Sequence, residues 1–249
     1  MLSEKRVSRP VSKFDRPLLP EPMTYRVVFS KVGNLQFFSH LDLQRTWQRV
    51  LVRASIPMWY TQGFNPHSKI VFGIPLSVGT EGTHEMVDLR IDRAIKPDEM
   101  RDQLNAELTD EMQVSAVYIP TTAFSDIAYA TYTVTVSDPS AASVGADAVE
   151  ALFAPGAAPI LMTKRTKSGD REMDILPLIR EIHAAREADG TLILHATLAA
   201  GGSANLSPEF LVAALREKLG MLTDTEHPDV CWYRILRTGF LCADGSEFR

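Results

Sequence analysis

Cysteine is nearly absent: Cys231 and Cys242 are the whole supply in 249 residues. Two thiols cannot build a zinc site or an iron–sulfur cluster unaided, and they fit a reduced compartment better than a disulfide framework. Long apolar runs are missing as well. No stretch of about 18 apolar residues occurs, which excludes a spanning helix, and the N-terminus has no apolar core of a signal peptide. A cytoplasmic chain with no membrane contact is expected. The phosphate-cradling G-x-x-x-x-G-K-[ST], the dinucleotide fingerprint G-x-G-x-x-G and a serine nucleophile elbow are all absent, so no cofactor is expected in this chain. Positive charge is in deficit, with 26 Lys and Arg against 31 Asp and Glu for a net charge of −5. That balance argues against non-specific nucleic-acid binding by the whole surface.

What basic charge there is lies in clusters. Residues 1–31 hold seven Lys or Arg against three acids, and Lys164, Arg165, Lys167 and Arg171 surround Ser168-Gly169. Local patches on an acidic body suit a specific anionic partner. Hydrophobic content of 45% with 23% charged residues belongs to an ordinary globular chain, long enough for one large domain or two of usual size.

Residues 1–22 carry four prolines and no apolar period, which predicts a disordered basic arm. An alternating strand follows at 25–30. Gly33-Asn34 gives a turn, and 35–38 reads as a returning strand end. Ser39 is an N-cap candidate with Asp42 in capping-box position, opening a helix over 40–54 that Pro57 stops. Leu43, Trp47, Val50, Leu51 and Ala54 share its apolar face. Arg45, Arg49 and Arg53 form a stripe on the exposed side, read either as a solvated face or as an anion contact.

Strands at 69–72 and 86–91, a helix at 97–108 and a strand at 114–119 complete a β-α-β-β-α-β order. The second half predicts a strand at 129–137, a helix at 141–153 and a strand at 160–164. An extra helix at 175–185, a strand at 191–198, a helix at 207–219 opened by Ser207 and Pro208, and a strand at 231–237 follow. The expected fold is therefore α+β: two tandem ferredoxin-like domains at 23–122 and 127–240, meeting near 120–126, with a tail at 241–249.

The most informative stretch is 60–73, YTQGFNPHSKIVFG. Asn-Pro and Gly63 could serve turn geometry alone. Gln62 is not needed by a turn, however, and Phe64 and Tyr60 supply stacking faces beside the amides of Gln62 and Asn65, the imidazole of His67 and the ammonium of Lys69. That mixture suits an unstacked base or another planar polar ligand. His40, at the positive end of the first helix, is either a neutral imidazole able to accept a proton or a ring satisfied by local backbone. His40, Asp42, His67 and His84 have no spacing that fixes a metal site, and Gly79-x-x-Gly82 matches an RNA-clamping loop by letters only. The 164–174 segment is either a phosphate-clamping hairpin or a solvated loop.

Three long motifs, YRVVFSKVGNLQFFSHLDLQR, QGFNPHSKIVFGIPLSVGTEG and KRTKSGDREMDI, resemble in this order the bacterial radical SAM-linked protein family over roughly 24–240. That family is a domain of unknown function fused to, or encoded beside, B12-binding-type radical SAM proteins. Gln36, Ser68 and Gly82 depart from its usual basic, proline and serine residues, and the first change removes a positive charge. No C-x-x-x-C-x-x-C occurs, so the resemblance implies a stand-alone form acting with a separate radical SAM enzyme. A looser, fold-level similarity is to RAMP-type CRISPR repeat-processing endoribonucleases.

Two functions follow as expectations. The first is a non-catalytic RNA-binding or substrate-presenting partner, with Arg45, Arg49, Lys69, Lys164, Arg165, Lys167 and Arg171 on phosphates. Gln62, Phe64, Asn65 and His67 would hold a base or the partner's loop. The second is a metal-independent ribonuclease in which His40 or His67 deprotonates a 2′-hydroxyl and Lys31 or Lys69 stabilises the phosphorane. A third, a protein–protein adaptor, would expose a large apolar patch. The first two share one premise: that the 60–69 loop folds back beside the opening of the first helix, so that both line one positive hollow.

Overall fold

A computed structural model describes residues 15–166, 169–202 and 204–249, with backbone alone at 165 and 166. The architecture is mixed α+β, and the chain folds as two compact units. One comprises the described residues up to Val78 together with His84–Thr121, the other Gly79–Thr83 and Thr122–Arg249.

In the first unit, β1 (Leu18–Lys31), α1 (His40–Arg53), β2 (Ile70–Phe72), β3 (Thr80–Arg93, whose residues up to Thr83 belong to the second unit), α2 (Pro97–Asn105) and β4 (Val114–Tyr118) follow in order. The sheet order is β4-β1-β3-β2. Strand alternation sends Tyr25, Val27, Phe29, Val87, Leu89 and Ile91 to one face, where α1 and α2 cover them with Leu43, Trp47, Val50, Leu51, Met100 and Leu104. The α1 apolar face is the one its spacing predicts, and Ser39 caps it by accepting from the Asp42 N–H at 3.2 Å. The Ser39 hydroxyl also donates to Asp42, which holds that carboxyl below its ordinary value.

Two expectations fail here. Residues 1–14 of the basic arm lie outside the described residues, but 15–22 are not an arm. Arg16 is buried, its guanidinium reaching both Glu99 oxygens at 3.1 and 2.6 Å, and the Pro17 carbonyl accepts from Ala94. Strand β1 therefore starts at Leu18. Its pairing with β4 covers only Arg26–Phe29, so Pro20 and Pro22 precede that ladder and remove no bond from it. Residues 35–38 do not return as a strand either. Gly33–Phe37 forms a 3-10 turn because the buried Lys31 ammonium draws the Leu35 and Gln36 carbonyls to it at 3.0 and 3.2 Å.

The second unit contains β5 (Ile127–Ser137), α3 (Ala146–Phe153), β6 (Leu161–Thr166), β7 (Gly169–Asp174), β8 (Ile179–Arg186), β9 (Leu192–Ala199), α4 (Glu209–Leu219) and β10 (Trp232–Cys242). The strands order as β10-β5-β9-β8 with antiparallel neighbours, and Thr80–Gly82 of β3 lies parallel to β10. The expected extra helix at 175–185 is instead a 3-10 turn at Leu176–Leu178 followed by β8. Local propensity favours a helix in IREIHAAR, but pairing along β9 outweighs it. The strand expected at 160–164 leaves the main sheet and closes a separate β6–β7 hairpin. The helix expected from 141 is confined to 146–153, and α4 begins at Glu209 with Pro208 rather than Ser207 as its cap.

The 241–249 tail is structured too. Phe248 is fully buried, its N–H donating to the Phe240 carbonyl at 2.9 Å.

Asp138, at the end of β5, ties the second unit together by accepting from Ser140 N–H, the Ser140 hydroxyl and Leu222 N–H at 3.1, 2.6 and 2.5 Å. Burial by itself pushes this carboxyl up, yet the Ser140 hydroxyl and the Leu222, Ala141 and Ser140 amides outweigh it and hold it below its ordinary value. A depressed native carboxyl contributes stability above its unfolded pKa and loses it as pH falls through the native one. Asp138→Asn should therefore cost about 2 kcal/mol at pH 7, with the difference from wild type shrinking below about pH 4. Urea unfolding at pH 7, 5, 4 and 3 measures this, and a penalty constant with pH refutes it.

Candidate nucleic-acid interface

The 60–69 loop is a pinned projection. Tyr60 and Ser68 bridge at its base, the Thr61 N–H donates to the His67 carbonyl at 3.0 Å, and the His67 N–H donates to the Thr61 hydroxyl at 3.1 Å. The His67 Nδ1 lies 3.1 Å from the Thr61 hydroxyl and 3.3 Å from the Asn65 carbonyl oxygen. His67 thus braces the loop from within. The consequence is that Gln62, Phe64 and Asn65 are all exposed, with Phe64 presented to solvent over its whole surface. Phe64 therefore gains nothing from burial, and the hydrogen bonds of Thr61 and His67 hold the loop that carries it.

The loop does not sit at the opening of α1. Its base residues Tyr60 and Ser68 line a cavity of about 40 Å³ with Gln48, Leu51, Val52 and Ser55, the C-terminal half of the helix. His40 is at the other end, its ring edge-on to Phe72 at 5.3 Å and 80°. Helical rise from His40 to Arg53 puts about 20 Å between the two ends of α1. The hollow expected to hold His40 and His67 together is therefore not formed.

The expected cations are distributed unevenly. Arg45 is exposed and lies 3.9 Å from Asp42, while Arg53 pairs with Glu107 at 2.7 Å. Arg49 is exposed on the same half of α1 as the loop base and makes no ion pair among the described residues. Lys31 is buried under its two carbonyls, away from any exposed phosphate position. Lys69 is exposed beside a hollow of about 200 Å³ that it shares with Thr24, Val71, Asp88 and Arg90. Sequence reading missed Thr24 and Arg90. The signal for Arg90 was present in the alternation of 86–91, which puts Asp88 and Arg90 on the face opposite Val87, Leu89 and Ile91.

In the second unit, Lys164 and Arg171 are exposed and stand opposite each other across the β6–β7 hairpin. The Arg165 backbone pairs with Asp170, and Lys167 lies outside the described residues. A cleft of about 630 Å³ in this unit is lined by Glu150, Asp174, Arg180, Glu181 and His183, none of them singled out by sequence. Burial, and then the Asp138 carboxylate, push the Cys231 thiol up, which disfavours its thiolate. Among the described residues no three His, Cys, Asp or Glu side chains gather as a metal site, and no helix is long and apolar enough to cross a membrane.

None of the curated proteins matches this sequence. Among solved structures, the chain aligns with an unknown protein from Galdieria sulphuraria at 14% identity and TM-score 0.25, covering 86% of this chain and 96% of that one. It also aligns with a substituted form of DypB in complex with manganese, at 14% identity and TM-score 0.20 over 84% of this chain and 88% of that one. A DyPB from Rhodococcus jostii RHA1 gives 13% identity and TM-score 0.19, over 84% and 88% of the respective chains. Likenesses this weak carry no functional inference. A family model, in contrast, matches residues 24–208, which hold the braced loop, α1 and the Lys69 hollow, and the chain therefore belongs to the bacterial family described as "Uncharacterized protein conserved in bacteria (DUF2344)".

Proposed function

We propose that this chain is a non-catalytic RNA-binding, substrate-presenting accessory protein that works with a separate radical SAM enzyme in RNA or ribosome modification. The observation that carries RNA binding is the braced 60–69 loop, which holds Phe64 in solvent with the amides of Gln62 and Asn65 beside it. An aromatic face flanked by hydrogen-bonding amides stacks on an unpaired base and reads its edge, and Lys69 and Arg49 supply charge for the adjoining backbone. The enzyme partner rests on the motif resemblance alone. Both units are read as ferredoxin-like, supported by the matching strand orders β4-β1-β3-β2 and β10-β5-β9-β8, with the β6–β7 hairpin as an insertion in the second.

The ribonuclease reading is the weaker one. It needs His40, His67 and a lysine at one point, whereas the two imidazoles neighbour opposite ends of α1 and the Lys31 ammonium serves two carbonyls.

Phe64→Ala should leave the melting temperature unchanged and weaken binding of structured RNA by about 1–3 kcal/mol, roughly fivefold to 150-fold. Gel-shift titration at fixed salt measures it. Wild-type affinity no greater than that of an equally acidic control protein sinks the reading. Crosslinking and pull-down from native cells tests the enzyme partner, and recovery without any radical SAM protein removes that part.

A further inference from the structure

Lys69 and Arg90 confront each other across two strands. Ile70 pairs with Leu89 and Val71 with Asp88, so the next pair outward is Lys69 with Arg90, and the Arg90 N–H donates to the Lys69 carbonyl at 3.2 Å. Alternation puts both side chains on the sheet face away from the helices, where they line the same hollow of about 200 Å³. Like charges directly opposite on a sheet destabilise it. The nearby Asp88 carboxylate offsets only one charge and is shared with the fully buried Arg26 guanidinium, which holds its two oxygens at 2.8 and 2.9 Å. Counting Lys69, Arg90 and Arg26 against Asp88 leaves this patch with two positive charges. Arg90 is also steered: its guanidinium donates to the Thr24 hydroxyl at 3.3 Å, which orients it over the hollow and leaves the Thr24 O–H able to donate to a ligand.

We infer that this hollow is a phosphate seat, in which Lys69, Arg90 and the Thr24 hydroxyl hold one phosphate group. Resting on the RNA reading, it takes a backbone phosphate of the strand whose base meets Phe64, since Lys69 directly follows the braced loop. A phosphate offers acceptors to all three groups at once and removes the repulsion between the two cations. It also gives the face opposite the helices a purpose that the loop alone does not.

The test uses wild type, Lys69→Gln and the double variant Lys69→Gln/Arg90→Gln. Because Lys69 is exposed and its removal relieves a like-charge pair, Lys69→Gln should melt at or above the wild-type temperature in low-salt, phosphate-free buffer. A fall would mark a structural role and overturn the seat. Inorganic phosphate should raise the wild-type melting temperature and leave the double variant unmoved; an equal rise in both overturns the seat. With a single-stranded oligoribonucleotide the double variant should lose about tenfold in affinity at 0.1 M salt, with a salt slope shallower by about 0.7. If RNA binds both proteins alike, the seat is refuted and the RNA reading stands. If RNA binds neither while phosphate still stabilises only wild type, the seat stands and the RNA reading fails.

Discussion

Asp88→Ala should lower the unfolding free energy by about 3–5 kcal/mol, because it strips the bidentate carboxylate from a guanidinium that is 0% exposed. The Coulomb attraction between Arg26 and Asp88 is partly cancelled by the desolvation both groups suffer, so the intact pair adds little net stability. The cost of breaking it is large for a different reason: Arg26 cannot discard its charge, and at the centre of the first sheet water does not replace the lost oxygens. The same reasoning predicts that Arg26→Met with Asp88→Leu recovers most of the loss, since neither member of this pair is then left as an uncompensated charge. Urea unfolding at pH 7 of the two single variants and the double closes the cycle. A loss below about 1 kcal/mol for Asp88→Ala would mean that the other contacts of Arg26 suffice to hold its charge.

Trp47→Ala should cost a similar amount, about 3–5 kcal/mol, by emptying the centre of the α1 face. Trp47 is 0% exposed and meets the Phe29 ring edge-on at 4.9 Å and 65°, so the substitution loses burial, an aromatic contact and close packing together. Its indole Nε1 is buried with no hydrogen-bond partner among the described residues, a standing penalty that Phe would remove. Trp47→Phe should accordingly cost only about 1 kcal/mol, the smaller ring leaving a partial void. Thermal and urea unfolding separate the two variants, and equal losses would show that the indole N–H does useful work.

Helix α1 was legible because everything that makes it is local. Ser39 and Asp42 cap it three residues apart, and its buried residues recur at the helical period, so 14 residues carry their own instructions. The composition of the 60–69 loop was equally open to reading, since amides and an exposed aromatic in a turn are polar beyond any turn's needs. Its brace was not. Thr61 and His67 are six residues apart, and only the fold of the loop shows that the imidazole serves it from inside. The misreading of 175–185 as a helix has the same origin: a short segment with mixed propensity takes its conformation from β9, a neighbour that local sequence does not announce.

By itself, then, the sequence determined the α+β class and the first helix with its core face. The tertiary structure alone decided where those parts meet: His40 and His67 toward opposite ends of α1, Lys31 buried on carbonyls, and Lys69 opposite Arg90. Period and capping act within a few residues and are written along the chain. Strand register joins residues about 20 apart through the summed packing of two sheet faces, and that sum is settled only when the whole unit closes.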